Sequence, residues 1–302
     1  MPLRNNDYIA AGLAGLAAFA VYLRTLPPTV TGEDSGEFIA AAYTLGIPHP
    51  PGYPLWCLLA HPFTYIPCGE VAWRVHLMTA SFGAATVAMT ALLILLLTRN
   101  RLAAIGGALA FAFSRQLWEQ SLIAEVYSLN AFLFALCLFL LWRWHDTRRN
   151  GLLLWLAVVY GLSLGNHNTM VLAGPLFAIF VVAVEAAPLK RAPVYAGLGI
   201  LAAVCAVLVY LYLPLRSMTS PPMDWGNPET LSNFRDVVLR KQFSFMLHEN
   251  PRSLARFAGQ MAVMTGFWVR EFTFFGGIFG FFGFAVLLWR RFWYAMHLAV
   301  LA

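Results

Sequence analysis

The sequence predicts an all-α membrane protein with several spans, on three observations. Of its 302 residues, 60% are hydrophobic and only 11% are charged, whereas about a quarter of the residues of soluble domains are charged. Several apolar runs reach the roughly 20 residues that a helix needs to cross a bilayer. Lys and Arg residues cluster at the ends of these runs. Because lipid cannot satisfy backbone polar groups, the runs are expected to form helices of a single transmembrane domain over residues 1–302.

The apolar runs predict a series of spans along the chain. The first run resembles a signal peptide, because Arg4 precedes an Ala-rich stretch, but it continues to Leu26 and further spans follow, so an uncleaved anchor is preferred. Gly161 and Gly165 have the spacing of small residues that lets helices pack closely. The predicted spans are Tyr8–Leu26, Val71–Thr98, Leu102–Trp118, Ala124–Trp142, Leu152–Leu164, Thr169–Val184, Val194–Leu213, Met261–Trp289 and a last span from Phe292 onward.

Basic residues in the short connectors predict the orientation of the spans. If the spans alternate, the clusters within Arg99–Arg101, Arg143–Arg149, Lys190–Arg191 and Arg290–Arg291 all fall on one side of the membrane. The positive-inside rule makes that side cytoplasmic. Long loops translocate largely regardless of their charge, so the basic residues of the long segment after Pro214 do not oppose this orientation.

The polar, motif-like stretches then all fall on the extracytoplasmic side. A first outward loop covers about residues 27–70, and a second long outward segment covers about residues 214–258. The sequence thus predicts a multi-pass membrane protein with one outward-facing site at membrane level. The outward stretches are Gly32–Pro54, Ser121–Asn130, Gly165–Thr169 and Arg216–Asn250.

A short helix is predicted in the first outward loop, over Gly32–Leu45. Thr31 followed three residues later by Asp34 resembles a capping box, while Gly46 and Pro48 provide a stop. The helix carries apolar residues that would let it lie on the bilayer surface, with its acidic end at the water boundary. These residues are Phe38, Ile39 and Leu45.

Three acids, Glu33, Asp34 and Glu37, lie on adjoining faces of the first turn of this helix. Their simplest role is to complement the positive end of the helix dipole, an effect of roughly 0.3–1 kcal/mol that one acid satisfies. Three acids at the mouth of a membrane protein favour a chemical role for at least one of them. A carboxylate here can accept a proton from an acceptor hydroxyl.

The stretch that follows, Ile47–Pro54, holds four prolines in eight residues. Proline fixes φ and restricts the residue before it, so the stretch is predicted to be stiff and extended. A stiff segment beside a carboxylate would position an acceptor, since small misplacements cost orders of magnitude in rate. Taken alone, the stretch would be a plain connector.

Other patterns exclude several classes of site. The sequence has no Walker loop, no dinucleotide fingerprint after a strand, and no basic stripe interleaved with aromatics, so nucleotide and nucleic-acid binding are not expected. No pair of histidines has the spacing of zinc ligands. Cys57 and Cys68 could pair on an oxidising face, but free cysteine is common as a small hydrophobic residue and is preferred.

Four stretches together resemble a known family. The run GEDSGEFIAAAYTLGIPHPPGYPL is similar to the first-loop signature of a family of membrane O-mannosyltransferase relatives, long described in bacteria as a domain of unknown function. The resemblance implies a location in a bacterial inner membrane. The supporting stretches occur in family order and cover most of the chain. They are AEVYSLN at Ala124–Asn130, GLSLGNHNT at Gly161–Thr169, and YLPLRSMTSPPMDWGNPET followed by LRKQF at Leu239–Phe243.

The resemblance implies the fold of the GT-C glycosyltransferase superfamily, in which the first outward loop of a helical bundle carries a catalytic acid. The implied donor is a polyprenyl-phosphate sugar, with mannose or a similar hexose transferred to a hydroxyl of a protein or glycolipid. Matched to the family signature, Asp34 is the acid of the loop, Glu37 belongs to its GEF element, and His49 precedes the paired prolines. Glu33 stands where relatives vary. The related mannosyltransferases work without a metal, so no cofactor is expected, although Asp34 and Glu37 offer oxygens to a divalent cation.

The predicted mechanism is an inverting displacement, with Asp34 as general base and Glu37 orienting it or the acceptor. An arginine at the membrane surface should stabilise the departing phosphate. Arg216, at the end of a span, is the first candidate, although arginines there often only snorkel to the interface. Arg240 and Lys241 are the second choice.

Three further stretches supply candidate site residues. His167, in GNHNT, is expected to bind donor phosphate or sugar, unless it is a structural histidine, and His49 is assigned to the same donor-binding group. Glu125 and Tyr127 begin a span on the outer face, where an ionisable residue is a functional candidate. Glu125 could instead only cap its helix. With Tyr53, these two residues are expected to contact the acceptor or support the site.

Two other classes of function remain open at this point. A transporter or flippase of a lipid-linked or anionic substrate would show charges at mid-membrane and two inverted halves, whereas the acids here lie at a span end. A noncatalytic assembly subunit is compatible with the short chain. The chain ends at Ala302 inside an apolar run, without the further spans or soluble region of many relatives, so it is expected to be either a natural minimal form or a fragment.

Overall fold

The computed structural model describes residues 3–185, 188–245 and 253–301. The regular structure in these ranges is helical, without a strand, and an isolated β-bridge pairs Ile47 with Asp224. The helices are α1 Asn5–Thr25, α2 Ser35–Thr44, α3 Pro54–Ala60, α4 Val71–Thr98, α5 Arg101–Ala112, α6 Arg115–Leu122, α7 Tyr127–Thr147, α8 Asn150–Ser163, α9 Thr169–Val184, α10 Ala192–Tyr210, α11 Tyr212–Ser217, α12 Leu231–Val238, α13 Leu254–Arg290 and α14 Phe292–Leu301.

Within the described ranges, four stretches of helix are long and apolar enough to cross a membrane: Asn5–Thr25, Val71–Thr98, Tyr127–Thr147 and Ala192–Ser217. Helices α5, α8 and α9 are apolar but shorter. This composition confirms the predicted all-α polytopic membrane protein. Residues 246–252, part of the predicted second outward segment, lie outside the described residues.

Helix α4 forms the centre of the bundle, packed against α1, α5 and α7, while α8 packs between α7 and α10. The predicted close approach at Gly161 is confirmed, because a Cβ atom there would meet Cys205 Cβ of α10 at 2.8 Å. The buried Tyr22 hydroxyl donates to the Ala112 carbonyl at 2.6 Å, which ties α1 to the end of α5. Apolar burial between these helices therefore fixes the frame that carries the loops.

Two predicted spans differ from the structure. The predicted span Leu102–Trp118 is broken into α5 and α6, because the chain turns at Ser114, whose hydroxyl donates to the Phe111 carbonyl at 2.8 Å instead of leaving that carbonyl to a continuing helix. The predicted span Met261–Trp289 lies in α13, which is bent by 98° at Thr273, where φ is 61°. Helical periodicity and hydropathy continue across both breaks, which is why the sequence did not indicate them.

The short helix of the first outward loop also differs from the prediction. Helix α2 begins at Ser35, with Asp34 as an N-cap residue whose side chain makes no capping bond. The Thr31 hydroxyl donates to Ser35 Oγ at 2.8 Å, so the predicted capping box is wrong. Phe38 and Ile39 are buried against other parts of the protein rather than laid on the bilayer. The helix is therefore a packed element and can hold side chains in fixed positions.

The basic connectors gather at one end of the bundle, as predicted. Arg101 at the start of α5 forms an ion pair with Asp7 at the start of α1, with 2.7 Å between Arg101 Nε and Asp7 Oδ1. Arg148 at the end of α7 donates to the Val184 carbonyl at the end of α9, at 3.1 Å. The outward stretches consequently lie at the opposite end.

Candidate active site

The predicted outward stretches meet at the end of the bundle opposite the basic connectors. The first loop bonds to the segment before α7, since the Asp34 amide donates to Glu125 Oε1 at 3.0 Å. It also bonds to the segment after α8, since the Leu55 amide donates to the Gly165 carbonyl at 3.0 Å. The β-bridge of Ile47 joins it to the segment after α11. Side chains from four separate parts of the sequence thus face one site.

Asp34 presents its carboxylate at the mouth of this site. The side chain is 60% exposed, and its Oδ2 lies 4.0 Å from His49 Nε2. The backbone before it is in the left-handed region at Glu33, where φ is 58°. Glu33 instead accepts two hydrogen bonds from Gln120 Nε2, at 3.2 and 3.3 Å. Glu33 and Asp34 therefore have different environments, and of these two acids Asp34 is the one whose carboxylate lies near His49.

Glu37 and His49 form a tight pair behind Asp34. The His49 amide donates to Glu37 Oε1 at 2.6 Å, and His49 Nδ1 lies 2.9 Å from Glu37 Oε2. The hydrogen bond to Glu37 raises the pKa of His49, and the negative charge of Asp34 adds to this. His49 Nε2 is hydrogen-bonded to the Tyr53 hydroxyl at 3.0 Å. A protonated His49 would thus attract the Asp34 carboxylate by charge.

The proline-rich stretch Ile47–Pro54 folds into a turn instead of running extended as predicted. The Gly52 amide donates to the His49 carbonyl at 2.9 Å, which closes the turn. Gly52 has a φ of 85°, and a Cβ atom there would meet Leu213 Cδ2 at 2.7 Å. The turn thereby packs against the end of the α10–α11 span and fixes His49 and Tyr53 relative to the bundle.

Glu125 is a buried carboxylate directly beneath Asp34. It is 3% exposed, and its Oε1 accepts the Asp34 amide. Burial raises the pKa of Glu125 to about 7. Its backbone carbonyl accepts a hydrogen bond from Trp56 Nε1 at 3.0 Å, which ties it to α3. Glu125 thus holds the backbone of Asp34, and its side chain is expected to change protonation close to neutral pH.

Aromatic rings form one wall of the site. Tyr53 is stacked on His167, with 6.5 Å between the ring centroids, and Tyr127 lies against the same histidine at 5.5 Å. His167 Nδ1 accepts the Thr169 amide at 3.3 Å, so in neutral His167 the proton is on Nε2. Burial and the charge of Arg240 lower the pKa of His167. His167 is therefore expected to be a neutral donor of one hydrogen bond.

Arg240 supplies positive charge to this wall. Its positive charge lowers the pKa of His167 and acts against the raised pKa values of His49 and Tyr53, so it lies within electrostatic range of all three. Among the described residues its buried Nε has no hydrogen-bond partner. The guanidinium carbon lies 5.2 Å from the ring centroid of Phe243, which supports the group from one side. Lys241, by contrast, is paired with Asp236, with 3.0 Å between the charged atoms, and is exposed.

Arg216 lies behind the site and closes the end of α2. Its Nε donates to the Leu45 carbonyl at 2.8 Å, and its Nη2 donates to the Thr44 carbonyl at 3.1 Å. Basic side chains commonly satisfy the free carbonyls at the end of a helix in this way. The two bonds occupy much of its guanidinium fork, which favours Arg240 over Arg216 as the group that meets a ligand.

Two aromatic residues that the sequence reasoning did not select also contact His49. Trp225 and Phe243 lie edge-on to it, with centroid distances of 6.3 and 6.5 Å. Trp225 Nε1 donates to Gln242 Oε1 at 2.9 Å, which links the two segments that carry these rings. Both belong to the DWGN and LRKQF stretches of the family resemblance, and that was the available signal.

An apolar groove of about 410 Å³ lies between α8, α9 and α10. Its lining includes Tyr160, Leu164, Phe177 and Ala202. Leu164 directly precedes Gly165, whose carbonyl bonds to the first outward loop, so this groove reaches the base of the site. A long apolar chain placed in it would end beside the loop that carries His167.

Other predictions about the site concern metals and cysteines. The described part of the chain contains no group of three His, Cys, Asp or Glu residues placed to hold a metal ion. The expectation of a metal-free site stays a prediction. Cys57 is buried and Cys68 is exposed, and neither is in a disulfide.

Comparison with known proteins gives a family. Residues 34–189, slightly more than half of the chain, match the model of the "Protein O-mannosyl-transferase TMEM260 N-terminal domain". A protein O-mannosyl-transferase TMEM260 of Mus musculus is 35% identical over 251 residues, which are 80% of this chain and 34% of that protein. Its counterpart in Dictyostelium discoideum is 27% identical over 259 residues, which are 80% of this chain and 32% of that protein.

The chain spans about a third of the length of these curated relatives. Both relatives are eukaryotic, so they give no support for the bacterial inner membrane that the sequence reasoning expected. Comparison with solved structures gives no match. The matched region begins at Asp34 and contains the first loop, Glu125 and His167. By this match the chain belongs to the TMEM260 N-terminal domain family.

Proposed function

We propose that this chain is a GT-C-type glycosyltransferase that moves mannose, or a similar hexose, from a polyprenyl-phosphate donor to a hydroxyl of a protein. Its relatives are named protein O-mannosyl-transferases, which supports the reaction class. The observation that carries the proposal is the site itself. The exposed Asp34 carboxylate lies 4.0 Å from His49, Arg240 has a buried Nε without a partner among the described residues, and the charges of both act on the pKa of Tyr53.

Asp34 is assigned as the general base. The acceptor oxygen attacks the anomeric carbon of the sugar, the bond from that carbon to the phosphate oxygen breaks, and the phosphate leaves with the electron pair. Asp34 takes the proton of the acceptor hydroxyl. A single displacement of this kind inverts the anomeric centre. The exposure of the Asp34 side chain leaves it open to a hydroxyl arriving from water.

Glu37 and His49 are assigned to keep that base in place. Glu37 bonds both the amide and the ring of His49, so the ring cannot turn away from Asp34 without breaking these contacts. A protonated His49 at 4.0 Å attracts the Asp34 carboxylate by charge. Neutral His167 is assigned to the sugar or phosphate of the donor, and Tyr53, Tyr127 and Glu125 to the support of the acceptor side.

Arg240 is assigned to the departing phosphate, with His49 and Lys241 as neighbouring positive groups. A guanidinium fork binds a phosphate with two charge-assisted hydrogen bonds, and Arg240 has a buried donor atom with no partner among the described residues. Such preorganised charge acts where negative charge develops in the transition state. The groove between α8, α9 and α10 is assigned to the polyprenyl tail, because it is apolar and reaches Leu164.

The site is assigned to the extracytoplasmic face. The basic connectors lie at the other end of the bundle, and the positive-inside rule places them in the cytoplasm. The residues of the single transmembrane domain, with its first loop at about residues 27–70, would thus carry the whole site, and no cofactor is assigned to it.

The experiment is a transfer assay on the purified full chain in detergent. The protein is given polyprenyl-phosphate mannose with a labelled sugar, and a Ser/Thr-rich acceptor protein. We expect label on the acceptor and an equal amount of free polyprenyl phosphate. Transfer from a nucleotide sugar but not from the lipid donor, or no transfer from either, would contradict the proposal. A flippase would instead move the intact donor between the leaflets of a vesicle without releasing lipid phosphate.

A further inference from the structure

A polar cavity lies at the opposite end of the bundle from the candidate active site. It has a volume of about 620 Å³ and is enclosed by the start of α1, the end of α4 and the start of α5. Its charged lining residues are Arg4, Asp7, Arg99 and Arg101, so the lining carries three positive charges and one negative. We call it the arginine cavity and define it by these four residues.

Two of the arginines are held in place by acids. Arg101 Nε lies 2.7 Å from Asp7 Oδ1, and Arg99 Nη2 lies 3.6 Å from Asp146 Oδ2. Each of these ion pairs involves one nitrogen of a guanidinium group that has three. Fixing the side chains in this way lowers the entropy that they lose when a ligand binds. The cavity is therefore built to present positive charge.

Arg99 and the acid that anchors it are themselves held in place by neighbouring helices. Arg99 ends α4 in the left-handed region, with a φ of 57°, which turns its side chain towards α7. Its partner Asp146 accepts a hydrogen bond from the Tyr294 hydroxyl, and Tyr294 is 1% exposed. The position of Arg99 thus depends on contacts with α7 and α14 and not only on its own helix. A solvated surface arginine has no such support.

The surroundings of the arginine cavity fit a lipid. Leu102 lines it and is 82% exposed, and the lipid-facing side of α1 is formed by exposed residues such as Ile9. The cavity thus has a polar floor and an apolar rim at the end of membrane-spanning helices. Basic pockets at the cytoplasmic ends of such helices attract the anionic headgroups of that leaflet.

We propose that the arginine cavity binds the phosphate of an anionic phospholipid headgroup. The phosphate receives hydrogen bonds from the guanidinium groups of Arg4 and Arg101, with Arg99 as the third positive charge, while the acyl chains run along Leu102. This inference depends on the membrane embedding of the chain and not on the proposed sugar transfer. A free phosphate anion offers the same chemistry to the arginines, but leaves the apolar rim unused.

The test measures the binding of lipid to the purified full chain in mixed micelles. Phosphatidylglycerol is titrated against phosphatidylcholine, and inorganic phosphate is added in a third arm. The variant Arg4→Gln removes an exposed arginine of the cavity. The matched control, Arg149→Gln, removes an exposed arginine that does not line the cavity, in the connector that follows α7. Circular dichroism checks that both variants keep their helix content.

We expect phosphatidylglycerol to bind more tightly than phosphatidylcholine. Arg4→Gln should weaken that binding about fivefold, and Arg149→Gln should leave it unchanged. Displacement of the lipid by inorganic phosphate at equal concentration would support the anion site but assign it to a soluble phosphate. If both variants lose the same affinity for phosphatidylglycerol, the binding depends on general surface charge, and the proposal is overturned. An absence of preference for the anionic lipid would also overturn it.

Discussion

The buried carboxylate of Glu125 accepts a hydrogen bond from the backbone amide of Asp34, with 3.0 Å between Glu125 Oε1 and the amide nitrogen. This contact joins residues 91 positions apart in the chain and holds the exposed acid of the site by its backbone instead of its side chain. The Asp34 carboxylate consequently remains free for a ligand. The environment of Glu125 also gives the site a dependence on pH.

Glu125 should make the protein less stable as pH rises towards neutral. Burial raises its pKa from 4.5 to about 7, so the folded state binds a proton that the unfolded state has already released between these values. Stability therefore falls as pH increases through this window and levels off above it. Glu125→Gln should show a smaller fall in Tm between pH 5 and pH 8. Equal pH slopes in the wild type and the variant would show that Glu125 does not titrate in this range.

The pair of Glu37 and His49 should also make the protein less stable as pH rises, over a higher range of pH than Glu125 does. The hydrogen bond to Glu37 raises the pKa of His49, so the stability that the protonated ring contributes is complete below pH 6.5 and is lost as pH rises through the raised pKa. Glu37→Gln should lower the pKa of His49, measured by NMR titration of labelled histidines. Asp34→Asn should lower it less, because Asp34 is the weaker cause. A larger shift in Asp34→Asn would contradict this order.

Arg216 and Arg240 should differ in what their loss affects. Arg216→Ala removes two hydrogen bonds at the end of α2 and should cost about 3–6 kcal/mol of stability, since hydrogen bonds to charged groups contribute about 1.5–3 kcal/mol each. Arg240→Ala should leave the Tm within a few degrees and weaken use of the lipid donor. Tm and the KM for the donor, measured on both variants, separate these roles. The reverse pattern would return the phosphate-binding role to Arg216.

Gly52→Ala should destabilise the turn that carries His49. The position has a φ of 85°, and the added Cβ would press on Leu213. A non-glycine residue in such a backbone region costs about 1–3 kcal/mol. Gly32→Ala is the control within the same loop, because a Cβ atom there meets nothing within 4 Å. We expect a lower Tm in the first variant only, and a similar loss in both would mean that the loop is sensitive throughout.

The sequence predicted the membrane bundle, and it also predicted that the polar, motif-like stretches lie together at one end. Apolar runs and basic connectors are local properties, so their positions can be read directly from the residues. The sequence also indicated Asp34, Glu37 and His49 as a group, because they lie close together in the chain. Their actual contacts, with Glu37 bonded to both the amide and the ring of His49, depend on a turn that proline content alone does not specify.

The role of Arg216 could not be predicted in the same way. A span-end arginine can snorkel, bind a ligand or satisfy a helix end, and its choice here depends on Thr44 and Leu45, which are more than 170 positions away in the chain. Burial of Phe38 and Ile39 was missed for the same reason, since an apolar face looks alike whether protein or lipid covers it. Long-range packing decides these features.

The central claim is that the Asp34 carboxylate takes the proton of the acceptor during sugar transfer. The direct measurement is the rate of polyprenyl-phosphate release in the presence of acceptor by Asp34→Asn, with Glu33→Gln as the neighbouring control. Loss of a general base should lower the rate of Asp34→Asn roughly 100- to 10,000-fold, at an unchanged helix content, while Glu33→Gln stays near the wild type. Release by Asp34→Asn at the wild-type rate would contradict the assignment of this residue as the base.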